Sequence, residues 1–335
     1  MGKEASLEQW KKLYEVAIKL KEMKPWESLW DMDLITILPS EKEEPCVCSI
    51  MGKAGNCYAI GTYIGFYAIH GFFQLAENND MPPDQLIRYQ NNIMCYFGDR
   101  EELTTKELKV IKDLGLKFRG RNNWIFFRVF EQGYAPYTPD EKQVIKLTEI
   151  LQHLYMAIKA MEKGLTVDFE GGNTLVRRFD EESVLWINYE APMFNPEVEY
   201  NIPVLQDDVF IQRLKKQKNS KEKLELDIAY LNSVINDRAY DKPLIPRICI
   251  LADGKTGMLL DQIFITPEDE EVNVVFNIVF NYIMQRGIPK TIFVRDMYIK
   301  SILLDVCKRI GIDLEVKTRL KNIDEFLRSF SKRGF

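Results

Sequence analysis

Apolar side chains open the chain at helical spacing. Leu7, Trp10, Tyr14, Ala17, Ile18 and Leu20 share one side, and Lys11, Lys12, Lys19 and Lys21 lie largely on the other. This predicts an amphipathic helix that stops before Pro25. The period then falls to two. Leu34–Leu38, stopped by Pro39-Ser40, reads as a strand, and Cys46–Met51 and Asn56–Thr62 flank Gly52-Lys53-Ala54-Gly55 as a hairpin. With Met51 opposite Asn56, Cys48 faces Ala59 and Ile50 faces Cys57. Side chains alternate along strands, so Cys46, Cys48, Ile50, Cys57 and Ala59 then share one face. Ile64–Ala76 is aromatic-rich and helical, with His70 in its middle, and Asn92–Phe97 is a strand. Thr104 and Glu107 form a capping box before the stripe Leu108, Ile111, Leu114, which Gly115 ends. After the strand Ile125–Phe130, Thr138-Pro139-Asp140-Glu141 starts a long helix. Its apolar positions run from Val144 to Met161, and His153 lies among them. Thr174–Phe179 and Val184–Tyr189 are two further strands.

Ala191–Pro203 holds three prolines and little periodicity, which marks a boundary. The expected organisation is an N-terminal α+β domain over 1–195, a linker over 196–206 and a C-terminal α/β domain over 207–335. In the second half, Val209–Leu214 reads as a strand, Lys215–Lys223 as a basic loop, and Leu224–Leu231 as an alternating strand with Glu225, Asp227 and Ala229 on its second side. Arg247–Leu251 and Met258–Ile265 flank the turn Ala252-Asp253-Gly254-Lys255-Thr256-Gly257. Thr266-Pro267-Glu268-Asp269 opens a helix closed by Gly287, Thr291–Val294 is a strand, and Asp296 opens a helix closed by Gly311. Leu314–Val316 is a strand, and a last helix runs from about Asn322 to Phe330.

Length and composition narrow the function classes. A chain of 335 residues favours two domains, and 46% hydrophobic with 28% charged residues is ordinary for a globular protein. A net charge of −5 argues against nucleic acid as a bulk partner, because that surface needs to be basic. The most apolar stretch, Val272–Met284, is interrupted by Asn273, Asn277 and Asn281 and is too short to span a bilayer, so no membrane partner is expected. Six cysteines at this length suit free thiols in a reducing cytoplasm. With two histidines, the chain is poor material for histidine catalysis.

Three groups of residues could carry chemistry. Cys46, Cys48 and Cys57 on one hairpin face could offer thiolates to a metal, but no fourth ligand is evident, and small buried side chains explain them equally; no metal is expected there. Arg119, Arg121, Trp124 and Arg128 interleave cations with an aromatic, a pattern that stacks on bases and pairs with phosphates, or else covers aromatic surface and pairs with Asp99, Glu101 and Glu102. Asp227, Asp296 and Glu325 are acids placed at a strand, a helix start and a last helix. Asp296 also stands where a helix N-cap belongs, and Glu325, three residues after Asn322, stands where a capping-box acid belongs.

The second half, read as three strands, helix, strand, helix, strand, helix, resembles the ribonuclease H-like fold of retroviral-type integrases and transposases. Gly287-Ile288-Pro289-Lys290-Thr291-Ile292 leading to Asp296, and Cys307-Lys308-Arg309-Ile310-Gly311-Ile312, are similar to the stretch where a strand delivers an aspartate and a helix ends at a glycine turn. The resemblance covers roughly the last 110 residues. It implies a mixed sheet in the order β-β-β-α-β-α-β-α, with Asp227, Asp296 and Glu325 holding two Mg²⁺ or Mn²⁺ ions. Met297-Tyr298 replaces the asparagine–glycine pair that often follows the second aspartate. The whole chain also resembles a bacterial two-part family whose halves are both domains of unknown function, through Phe97-Gly98-Asp99-Arg100-Glu101-Glu102-Leu103, Phe118-Arg119-Gly120, Gly133-Tyr134-Ala135-Pro136 and Gly287-Ile288-Pro289-Lys290. The reading that follows is a non-catalytic interaction or ligand-binding protein without a cofactor, with a protein partner open. The alternatives are a metal-dependent nuclease or its degenerate relative, and a non-cleaving nucleic-acid-binding module.

Overall fold

The computed structural model describes residues 2–40, 43–78, 83–231, 233–237 and 240–331. The chain divides into two compact units, Met1–Met81 with Tyr89–Val198, and Pro82–Arg88 with Glu199–Phe335. Both are α/β. The segment ending at Arg88 is drawn from the first half of the sequence into the second unit.

The first unit is a seven-stranded sheet with helices on both faces. Its strands are β1 (Ile35–Leu38), β2 (Cys46–Met51), β3 (Ala59–Ile64), β4 (Asn92–Gly98), β5 (Trp124–Phe130), β6 (Asn173–Asp180) and β7 (Leu185–Pro192). They lie in the order β5-β4-β3-β2-β1-β6-β7; β1 and β6 pair in parallel, and the other neighbours pair antiparallel. Helix α1 (Leu7–Met23) starts at a capping box between Ser6 and Gln9. Helix α2 (Phe66–Glu77) follows β3, and after it comes the short α3 (Pro83–Leu86), which belongs to the second unit. Helix α4 (Thr105–Asp113) has the capping box of Thr104 and Glu107, and α5 (Glu141–Glu162) has one formed by Asp140 and Gln143. The apolar stripes of α1 and α5 pack with Ile35, Ile37, Cys48 and Ile60 in one core, and α2 packs on Leu34, Val47 and Tyr63.

The β2–β3 register differs from the expected one. Cys48 pairs with Thr62 and Ile50 with Ile60, because β3 begins at Ala59 rather than at Asn56. Cys57 adopts a positive φ of 46° in the longer turn and is exposed, while Cys46 and Cys48 are buried. The three thiols therefore do not share a face.

The second unit also contains α6 (Asp208–Lys215), β8 (Lys223–Tyr230), β9 (Arg247–Asp253), β10 (Leu259–Ile265), α7 (Glu271–Arg286), β11 (Thr291–Val294), α8 (Met297–Ile310), β12 (Asp313–Val316) and α9 (Lys321–Ser331). The expected strand at Val209–Leu214 is the helix α6. Asp207 caps it by accepting from the Phe210 amide at 2.9 Å, and Ile211 and Leu214, one turn apart, are the buried positions. The sheet order is β10-β9-β8-β11-β12. β9 runs antiparallel to β8 and β10, and β11 runs parallel to β8 and β12. The turn between β9 and β10 is held by Asp253 Oδ1, which accepts from the Lys255 and Thr256 amides at 2.9 and 2.6 Å.

Both faces of this sheet are covered. Leu224, Leu226 and Ile228 pack under α7 and α8, while Ala229, Ile248 and Ile250 pack with Leu320, Ile323 and Leu327 of α9 and its approach. The alternation read in β8 therefore does not divide inside from outside. Glu225 is 6% exposed and Asp227 is 0% exposed.

Candidate functional site

Burying a carboxylate without compensation costs several kcal/mol, so Asp227 must be paired. Two guanidiniums do this. Arg88 Nη2 donates to Asp227 Oδ1 at 2.9 Å and Arg295 Nε donates to Oδ2 at 2.5 Å. Both arginines are themselves buried. Arg88 follows α3, which packs on β8; Arg295 immediately follows β11, next to β8 in the sheet.

Each arginine also reaches a second acid. Arg88 Nη1 donates to Asp296 Oδ2, and Nη2 also donates to the Ile228 carbonyl at 2.6 Å. Asp296 Oδ1 caps α8, accepting from the Ile299 amide at 2.9 Å. Arg295 Nη2 donates to Asp324 Oδ1 at 2.5 Å and Nη1 to the Thr318 carbonyl at 2.8 Å. Burial lowers the pKa of Arg295, but Asp227 and then Asp324 outweigh it, and the net displacement is upward. The cluster thus consists of three carboxylates joined by two permanently charged guanidiniums. It ties together the first strand of the unit, the helix after the fourth strand, and the last helix.

Of the candidate acids, Asp227 and Asp296 meet at Arg88. Glu325 is exposed on α9, and its neighbour Asp324 supplies the third carboxylate. The α9 amides are taken by a strand residue instead of Glu325. Glu225 Oε2 accepts from the Asn322 and Ile323 amides at 2.9 and 3.2 Å, and its Oε1 accepts from Asn322 Nδ2 at 2.9 Å. A helix N-terminus stabilises such a buried carboxylate.

Mg²⁺ or Mn²⁺ needs several oxygen ligands turned toward one point. Here the oxygens of Asp227 face nitrogen donors, and a divalent ion could reach them only by displacing a guanidinium. The residues present do not fit the two divalent ions that the fold class implies. Among the described residues, no group of three or more His, Cys, Asp or Glu side chains is placed to hold a metal ion.

The remaining candidates lie in the first unit. Arg128 is committed to Glu107, its Nε at 3.0 Å from Oε1, and sits 4.6 Å over the Phe126 ring. Arg121 is exposed, 3.6 Å from Asp99. Arg119 is exposed, and Trp124 is half-buried at the start of β5. Burial pushes the Cys46 thiol well up, and Cys48 adds to this. His70 Nδ1 lies 3.0 Å from the Pro196 carbonyl. His153 stacks on Trp186 at 3.6 Å and accepts from Arg177 Nε at 3.3 Å, and burial followed by the Arg177 charge pushes its pKa down to about 4.

These features define a tandem α/β protein whose second unit has the ribonuclease H-like strand order. The chain belongs to the family described as Domain of unknown function (DUF7309), whose model matches residues 10–177. A second, Domain of unknown function (DUF6930), matches residues 210–331. No curated protein matches the sequence. Among solved structures, the catalytic core domain of BIV integrase is similar at 14% identity and a TM-score of 0.24, over 34% of this chain and 66% of that one. The strand order of the second unit stands on its own hydrogen-bonded pairs rather than on that likeness. No helix among the described residues is long and apolar enough to cross a membrane.

Proposed function

We propose that this chain acts by binding rather than by catalysis, and that its second unit is a scaffold tied together by buried ion pairs. The observation that carries the reading is Asp227, fully buried with one oxygen on Arg88 and the other on Arg295. An acid of this kind is spent on holding the sheet to its helices. Supporting it, Asp296 serves as a helix cap and Asp324 as the counter-charge of Arg295. The buried free thiols Cys46, Cys48, Cys95, Cys249 and Cys307 suit a reducing compartment, so the site of action is the cytoplasm.

A second reading draws on the strand order, with Asp227 on the first strand and Asp296 just after the fourth: the unit descends from a metal-dependent nuclease whose ion positions arginines now occupy. Both readings are tested by incubating the full chain with Mn²⁺ and single- or double-stranded DNA and RNA, beside Asp227→Asn, at a temperature where circular dichroism shows both folded. Both readings expect background products from both proteins, because arginines hold Asp227 in each. Products that require Mn²⁺ and disappear in Asp227→Asn would overturn both.

A further inference from the structure

A different part of the molecule, the first unit, holds a pocket of about 230 Å³ between α4, the loop after it and the start of β5. Its wall carries Arg100, Lys112, Lys117 and Arg119, with Phe118 and Trp124 as aromatic surface and aliphatic side chains between them. Among the described residues no carboxylate lines it. The cations on its rim are exposed, and among the described residues none of the four makes an ion pair. Neighbouring cations differ: Arg121 reaches Asp99 and Arg128 reaches Glu107. Arg100 additionally stands 5.9 Å from the centre of the Trp124 ring, and Phe118 packs edge-on to the same ring at 6.1 Å.

Four like charges around an apolar hollow repel one another, and on a chain of net charge −5 their concentration is local. A ligand that satisfies both halves of the wall must carry several negative charges and a flat apolar body. The carboxylates of an acidic peptide supply charge without that flat body, and a lipid supplies an apolar body too long for the hollow. We propose that this pocket binds a nucleoside phosphate, the base against Trp124 and Phe118 and the phosphates at the rim among Arg100, Lys112, Lys117 and Arg119. The nucleotide comes either free or as a unit of a single strand, which present the same chemistry. This site is independent of the carboxylate cluster, so its failure leaves the reading of the second unit intact.

The test uses the full chain without added metal and titrates ADP, adenosine, tripolyphosphate and a labelled twelve-nucleotide oligouridylate, by calorimetry and tryptophan fluorescence. The expected result is ADP binding that quenches a signal lost in Trp124→Phe, with adenosine and tripolyphosphate each at least about ten-fold weaker. The double variant Lys117→Glu/Arg119→Glu, altered only at exposed positions, binds at least about ten-fold more weakly. The control Lys321→Glu, a charge reversal at an exposed position of the second unit, binds as wild type. Tighter binding of the oligouridylate than of ADP, falling steeply with salt, assigns the strand as the source, and the reverse order assigns the free nucleotide. The proposal is overturned if neither ADP nor the oligonucleotide binds up to about 1 mM, if the double reversal leaves binding unchanged, or if tripolyphosphate binds as well as ADP.

Discussion

Replacing Asp227 by Asn keeps the shape of the side chain and removes its charge, so it separates the two roles the acid could have. In the structure its oxygens take Arg88 at 2.9 Å and Arg295 at 2.5 Å, and the residue has no exposure to water. An Asn oxygen can keep one of these bonds, while its amide group turns a donor toward the other guanidinium. One charge-assisted bond is lost and one guanidinium donor is left unpaired in the interior, while Arg88 and Arg295 keep Asp296 and Asp324 as counter-charges; the loss costs about 3–5 kcal/mol. With a urea dependence of about 2 kcal/mol per molar, the unfolding midpoint of the second unit falls by about 1.5–2.5 M. The five tryptophans all lie in the first unit, so fluorescence reports that unit and far-ultraviolet circular dichroism reports both. The dichroism transition should acquire an earlier component in Asp227→Asn. If Asp227 instead belonged to a set of mutually repelling metal ligands, its neutralisation would relieve repulsion. An unchanged or higher midpoint would refute the structural role.

Three further outcomes follow from other parts of the molecule. Arg295→Met destabilises the second unit, and combined with Asp227→Asn it shows a coupling of at least about 1 kcal/mol in a urea double-mutant cycle, since the two share one buried network; additive costs would contradict this. His153 has a folded pKa of about 4 against an ordinary 6.5, so the unfolded chain binds more protons between these values; the first unit loses stability as pH falls from about 6.5 toward 4 and is insensitive to this group above that window. His153→Gln should flatten that dependence, as read from fluorescence-detected midpoints. Gly287 has a φ of 97° and would set a Cβ against the Lys218 carbonyl, so Gly287→Ala lowers the second unit's midpoint by the equivalent of about 2 kcal/mol, and a neutral result would mean that the loop yields.

The order of elements in the second unit was legible because its helices announce their ends: Asp296 before α8, Gly311 after it, and a turn centred on Asp253. Local rules failed where a distant element decided the outcome. Val209–Leu214 has the composition of a strand, yet it is a helix whose Ile211 and Leu214 are buried in the core with α7 and α8, far along the chain. Asp227 reads as the polar side of a half-exposed strand, because nothing nearby in sequence shows that α9 covers that side. Arg88, 139 positions away, could not be matched to it from spacing at all. Asp324 lies one residue from the candidate Glu325, and only the rotation of α9 distinguishes which acid turns to Arg295. In the basic segment, Arg119 and Trp124 line a pocket as a pair, but the cations that accompany them, Arg100 and Lys112, come from elements further back in the chain.

Mn²⁺ binding to the full chain, followed by the loss of the free-ion electron paramagnetic resonance signal, tests the central claim most directly. With Asp227, Asp296 and Asp324 held by Arg88 and Arg295, wild type and Asp227→Asn should retain the same free-ion signal across the titration. A stoichiometric site present in wild type and absent from Asp227→Asn would contradict the account.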